Sequence, residues 1–320
     1  MEGGEGGMPF ITVITCTYNR LESLSRLYLS LRQQTFKDFV WLILDDGSTD
    51  GVGQQVRLWQ QEGCLDIDYH HFPHRGKHWT QKDGWALVKT CYTVEVDDDD
   101  ELTDDGLEVL HQTWCQIERE GRDDIGMVAA LSVDEKGNVI CYDGWKGDFL
   151  DTDYLAMEWT AHHPSENLIS MRSDIIQKAG VYRDEGKWLY DQVTLVLESV
   201  LWNRIAEKYH TRYIKKVLRV YHCEGQHRLS KSGFGRQKCI NYTFSLYVLL
   251  NELQGRYCEN VHDTLKYLAE YLACGTALKY PVSQLVRSLN SRFLRVGGIL
   301  LSPAAFLVGG YFRRTSPTGD

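Results

Sequence analysis

Five consecutive carboxylates, Asp97-Asp98-Asp99-Asp100-Glu101, follow directly on the apolar run Tyr92–Val96. Like charges about 4 Å apart repel by ~1 kcal/mol in water and by several times that at a protein surface. Such a run is either a solvated loop or a place where a cation belongs. A calcium loop of the EF-hand type is excluded, because that loop needs glycine at its sixth position and Leu102 stands there. Carboxylates that hold Mg2+ or Mn2+ against a substrate diphosphate fit better, since these ions take one or two carboxylates together with phosphate oxygens. Two more polar clusters stand in the same relation to apolar runs. Ile11–Thr15 gives way to Thr17-Tyr18-Asn19-Arg20, and Phe39–Leu44 breaks at Asp45-Asp46-Gly47-Ser48-Thr49-Asp50.

The elements between these clusters determine whether they meet. Leu21, Leu24, Leu27 and Leu31 recur at helical spacing, and Asn19 with Glu22 three residues on reads as a capping box. Phe39–Leu44 suits a strand buried on both faces. Leu65–Tyr69 alternates weakly, Thr80–Lys89 reads as a helix, and Tyr92–Val96 reads as a strand. Strand and helix alternating in this way predict a Rossmann-like, mostly parallel α/β sheet with right-handed crossovers. Ligands of such sheets lie beyond the carboxyl ends of the strands, where all three polar clusters fall. The pattern stays mixed through Gly126–Val133 and Glu158–Ser170, with helices around Ser173–Ala179 and Gln192–Lys208 and a strand over Tyr213–Tyr221. Past His222 it becomes helical, most strongly over Tyr242–Leu253 and Thr264–Tyr280.

Composition narrows the function. The chain of 320 residues is 43% hydrophobic and 12% aromatic, enough for a filled core. Its formal charge of −9 argues against a nucleic-acid partner, which calls for clustered Lys and Arg. No GxGxxG follows the first strand, which excludes a dinucleotide oxidoreductase. The 9 cysteines are odd in number and form no CxxC, so reduced thiols and a cytoplasmic location are expected. MEGGEGG at the N-terminus reads as a flexible leader without the order of an export signal. Between Tyr271 and Gly319 there is no acid, while Lys279, Arg287, Arg292, Arg295, Arg313 and Arg314 all fall there. A basic tail on an acidic chain suggests peripheral contact with anionic lipid. The apolar stretch from Val296 to Phe312 would reach only about 25 Å as a helix, short of the ~30 Å hydrocarbon core, and Pro303 interrupts it.

Four segments, Ile11–Arg20, Gln34–Phe39, Leu44–Asp50 and Asp97–Leu107, resemble the successive motifs of family 2 glycosyltransferases, in the family's order and at its separations. The resemblance covers roughly residues 9 to 222 and continues more loosely, towards members of bacterial polysaccharide synthesis, to the C-terminus. It implies an inverting enzyme with a GT-A domain over residues 9–225 and a helical region over 226–320. The implied donor is a nucleoside-diphosphate sugar, UDP-linked by preference, and the implied acceptor a hydroxyl of a glycan or of a lipid-linked acceptor. By the same resemblance Tyr18 borders the base, Asp46 accepts from a uracil N3–H, and Cys16 makes a backbone contact. Asp97 and Asp99 match the outer positions of a DxD motif, with Asp99 on the metal, Asp97 on the ribose or the ion, and Asp98 turned away within the same nucleotide-facing segment. Asp100 is a second acid able to take the metal. Lys77, after Gly76, faces the diphosphate as a point charge.

The resemblance also places the general base six positions before Arg204, at Glu198, with Asp191 as its rival. His222, and His227 near Arg228, fall where relatives close over the diphosphate, and a histidine there would complete the metal shell. Trp145, Trp159, His162 and His163 fall in the stretch expected to form the acceptor wall. Two other readings share the nucleotide handling: a sugar nucleotidyltransferase, whose Gly-rich basic N-terminal loop is missing here, and an inactive nucleotide-sugar-binding protein.

Overall fold

The computed structural model describes residues 9–161, 166–179, 183–184, 187–222, 235–252, 256 and 259–315. His162, His163, His227 and Arg228 lie outside them. The chain divides into two compact units, Met1–Val181 with Arg204–Glu224, and Tyr182–Asn203 with Gly225–Asp320.

The first unit is built on strands β1 (Ile11–Thr17), β2 (Phe39–Asp45), β3 (Ile67–His71), β4 (Tyr92–Glu95), β5 (Glu101–Leu102), β6 (Ile125–Asp134), β7 (Phe149–Thr152), β8 (Leu168–Arg172) and β9 (His210–Tyr221). Their order is β3-β2-β1-β4-β8-β6-β9-β5, with β7 paired to β9. β3, β2, β1 and β4 run parallel. β8 then runs antiparallel to both β4 and β6, while β6 and β9 are parallel. The sheet is therefore mixed rather than mostly parallel, and its parallel half is the half that carries the polar clusters. Ile11, Val13, Trp41, Ile43 and Val94 are buried, as sheet residues with helices on both faces must be.

Helices α1 (Leu21–Gln33), α2 (Val52–Glu62), α3 (Lys77–Trp85), α4 (Gly106–Arg119), α5 (Tyr154–Ala161) and α6 (Ile175–Ala179) belong to this unit. α1 buries Leu24, Leu27, Tyr28 and Leu31, one face at helical spacing. The capping box expected at its start is not formed. Asn19 adopts a left-handed φ of 52°, and its Oδ1 accepts from the Thr49 N–H at 2.7 Å. The α1 cap comes instead from Asp50, whose Oδ2 accepts from the Leu21 N–H at 2.9 Å. The segment Glu158–Ser170 splits between α5 and β8.

The second unit is helical. It holds the 3-10 turn Tyr190–Gln192, the start of α7 (Glu198–Ala206), α8 (Arg236–Glu252), α9 (Val261–Ala277), α10 (Val282–Arg287) and α11 (Arg292–Thr315). Residues 182–203, expected within the sheet domain, group with these helices. The Thr194 N–H donates to Asn241 Oδ1 at 3.0 Å and the Leu197 N–H to Ser245 Oγ at 3.0 Å, both on α8.

Candidate active site

β2, β1 and β4 are adjacent and parallel, so residues 18–20, 46–50 and 96–99 leave the sheet at one edge. The first two loops are laced together. The Asn19 N–H donates to Ser48 Oγ at 2.9 Å, the Asp46 N–H to the Thr17 carbonyl at 2.9 Å, and the Ser48 N–H to Asp45 Oδ1 at 2.7 Å. Gly47 is required here, since its φ is +88° and a Cβ would lie 2.8 Å from the His74 nitrogen.

Asp46 is 3% exposed and has a full complement of partners. Its Oδ1 accepts from the Arg75 N–H at 3.0 Å and Thr80 Oγ1 at 2.6 Å. Its Oδ2 accepts from the Gly76 N–H at 2.9 Å and lies 2.8 Å from His74 Nδ1. Four donors are about what a carboxylate can take. The carboxylate also sits at the N-terminus of α3, where unpaired N–H groups favour an anion. The side chain expected to read a base is thus engaged in capping α3 and fixing the 74–76 turn. His74, absent from the sequence expectations, stacks on Tyr18 with ring centroids 4.0 Å apart and planes 13° apart. Tyr18 is nonetheless 42% exposed and offers an aromatic surface at the loop edge.

The acidic run is neutralised from within the chain. Arg20 Nη1 donates to Asp98 Oδ1 at 2.9 Å and to Asp99 Oδ2 at 3.0 Å. Arg26 Nη2 donates to the Asp99 carbonyl at 2.8 Å, and Lys77 Nζ donates to Asp97 Oδ1 at 2.8 Å. Arg219 Nη1 lies 3.2 Å from Asp100 Oδ2. The repulsion that pointed to a bound cation is therefore relieved by four basic side chains, and the run by itself does not demand an ion. These bases come from the loop before α1, from α1, α3 and β9, and only Arg20 and Lys77 lie in segments singled out by sequence.

Within the run the four aspartates differ. Asp98 and Asp100 are buried, and burial pushes their pKa values up to about 6 and about 7. Asp97, held below the usual range by the Lys77 ammonium, and Asp99 keep accessible carboxylates. An accessible pair of hard oxygen ligands suits Mg2+ or Mn2+, whereas Asp100, sealed against Arg219, does not offer itself. His222 meets the neighbouring acids Asp100 and Glu101. Its Nε2 lies 2.6 Å from Glu101 Oε1, and its N–H donates to Asp100 Oδ1 at 3.3 Å. Cys16 is the second-last residue of β1, with its thiol pushed well up by burial.

Trp145, expected at an acceptor wall, is buried, its ring 6.2 Å from Tyr213 in a T-shaped contact. Trp159 is half-buried on α5. Asp191 lies in the turn Tyr190–Gln192 and Glu198 opens α7, both exposed and both in the helical unit.

The chain matches the family described as "Glycosyl transferase family 2" over residues 12–179. It is 30% identical over 129 residues to a GalNAc(5)-diNAcBac-PP-undecaprenol beta-1,3-glucosyltransferase of Campylobacter jejuni, a stretch that covers 36% of this chain and 40% of that relative. The TarS 1–349 structure from S. aureus in complex with UDP-GlcNAc is similar with TM-score 0.57 and 13% identity, over 97% of this chain and 93% of that one. The mannosyltransferase PcManGT from Pyrobaculum calidifontis in complex with GDP-Man and Mn2+ is similar with TM-score 0.53 and 12% identity, over 97% and 88%. At these identities the two structures speak for the fold alone.

Proposed function

The chain belongs to glycosyl transferase family 2, and on that premise we propose that it transfers a sugar, with inversion, from a UDP-sugar to a hydroxyl of a lipid-linked glycan. The observation that carries this reading is the single edge where Tyr18, Lys77, Asp97 and Asp99 gather at the ends of β1, α3 and β4. Tyr18 supports the base, and Lys77 supplies a point charge to the diphosphate. Asp97 and Asp99 would hold Mn2+ or Mg2+. Such an ion, when bound, stabilises negative charge on a leaving diphosphate. Arg20 keeps Asp99 oriented, and Asp46 keeps Lys77 in place by fixing the start of α3.

Glu198 is the proposed general base, removing the acceptor hydroxyl proton as the oxygen attacks the anomeric carbon from the face opposite the nucleotide. Asp191 is its alternative, and His222 holds the side-chain carboxylates of Asp100 and Glu101 beside the site. The lipid-linked acceptor rests on the name of the Campylobacter relative, a glucosyltransferase acting on a diphospho-undecaprenol glycan. Among the described residues, Cys16, Cys64, Cys91, Cys115, Cys239 and Cys274 form no disulfide, which agrees with the cytoplasmic side of a membrane.

Release of UDP from a panel of sugar nucleotides, with and without Mn2+, tests the reading. Glu198→Gln should keep donor binding and lose at least ~100-fold in turnover. Asp99→Ala should lose the Mn2+-dependent part of UDP binding by calorimetry. Undiminished turnover in the first variant removes Glu198 from the chemistry, and unaltered binding in the second removes Asp99 from the ion.

A further inference from the structure

α11 runs unbroken through Pro303 from Arg292 to Thr315, longer than the apolar stretch read from sequence. At 1.5 Å per residue it extends about 36 Å, so length no longer excludes a bilayer span. Packing does. Leu294, Gly298, Ala305 and Gly309 are buried along one face, at i, i+4, i+11 and i+15. A Cβ on Gly298 would lie 3.1 Å from Val286 Cγ2, and one on Gly309 would lie 2.1 Å from Thr276 Oγ1 and 2.8 Å from the Ala273 carbonyl. Thr276 Oγ1 also donates to the Ala305 carbonyl at 3.3 Å. The glycines let α11 lie directly on α9 and α10, so it is seated along its length on other helices of the same unit.

The opposite face is apolar and exposed. Val296, Ile299, Leu300 and Leu307 lie on it, with Leu300 75% and Leu307 74% accessible. No charged residue occurs between Arg295 and Arg313. Exposed apolar faces of this extent mark contact with a partner or a membrane. A second copy of the chain is disfavoured by charge. Arg292 and Arg295 stand at one end of the helix and Arg313 and Arg314 at the other, with no acid between Tyr271 and Gly319. Pairing two such helices in either direction brings arginine to arginine. An anionic lipid surface satisfies both features, taking the leucines among its acyl chains and the arginines among its headgroups.

We propose that α11 lies in the plane of an anionic bilayer surface, with Val296, Ile299, Leu300 and Leu307 inserted and Arg292 and Arg295 on the headgroups. The mode is monotopic: one face stays on α9 and α10 while the other enters the lipid. This goes beyond the donor-site reading and does not depend on it.

The test is flotation of the full chain with vesicles of phosphatidylcholine containing about one-third phosphatidylglycerol, beside pure phosphatidylcholine. The wild type should float with the anionic vesicles, and raised salt should weaken binding about tenfold or more. Leu300→Gln with Leu307→Gln should lower binding at least tenfold with an unchanged melting temperature and unchanged UDP release in solution. Arg292→Gln with Arg295→Gln should remove the preference for anionic lipid. The proposal is overturned if the wild type stays unbound to anionic vesicles, or if the double Leu variant floats as well as the wild type. It is equally overturned by retention through alkaline carbonate, which marks a spanning helix, or by a dimer in solution that the Leu substitutions dissociate. UDP release is read separately, so loss of lipid binding and failure of the transferase reading are told apart.

Discussion

Asp46 carries the sharpest contrast between a residue's motif and its surroundings. Its position in Leu44–Asp50 marks it for a base, yet its two oxygens hold His74, the Arg75 and Gly76 N–H groups and Thr80. Loss of a buried acceptor strands these donors, at a cost of about 1–3 kcal/mol. Asp46→Ala should therefore lower the melting temperature by several degrees even without donor present, a measurement for scanning calorimetry on the free protein. An unchanged melt with weaker UDP binding would return Asp46 to the role of base reader. The neighbouring Arg20 illustrates a quieter signal. It lies in the Tyr18-Asn19-Arg20 segment, but its two partners are 78 and 79 positions away, and spacing alone could not pair them.

At the scale of elements, the loops are tied by side chains that serve two helices at once. Asp50 Oδ2 accepts from the Leu21 N–H at the start of α1, and its Oδ1 accepts from the Val52 N–H at the start of α2 at 3.4 Å. Asp50→Ala should cost about 1 kcal/mol, the usual worth of a helix cap, seen as a lower urea midpoint. Glu22→Ala should change the stability by no more than about 0.5 kcal/mol, because the capping box read from Asn19 and Glu22 is not made. A larger loss from Glu22 than from Asp50 would reverse the assignment. α3 begins at Lys77 rather than Thr80 for a related reason: Gly76 at φ 100° turns the chain, and Asp46 supplies the anion at the helix start.

At the scale of the molecule, the buried acids set a pH dependence. Asp98 and Asp100 titrate near 6 and 7 when folded, above the ordinary carboxylate value, because burial disfavours their charge. A raised folded pKa contributes stability that is complete below about pH 4 and lost as pH rises through the folded values. Asp97, lowered by Lys77, acts in the opposite sense and loses its contribution as pH falls below about 4. With divalent ions chelated, the protein should gain on the order of 1 kcal/mol between about pH 8 and pH 5, then lose stability in stronger acid. Thermal melts in EDTA check this, with Asp100→Asn expected to flatten the limb between about pH 5 and 8. Parallel curves for wild type and variant would show that Asp100 does not set it.

What local sequence determined in the first hundred residues was β1, α1, β2 and β4 and the polar breaks that follow the three strands, whereas α2 was not read and α3 was placed three residues late. Hydrophobic period and backbone preference act over a few residues, so β1, β2, β4 and α1 were legible to within about two residues. The four-motif resemblance carried the family as well. Only the tertiary structure decided that β8 turns the sheet mixed, that Asp46 faces inward, that Arg26 and Arg219 reach the acidic run, and that residues 182–203 join the helical unit. It also decided that α11 keeps one face on α9 and α10 and exposes the other. Each of these depends on which distant surfaces pack together, and side-chain partners brought together by packing leave no periodic trace in the chain.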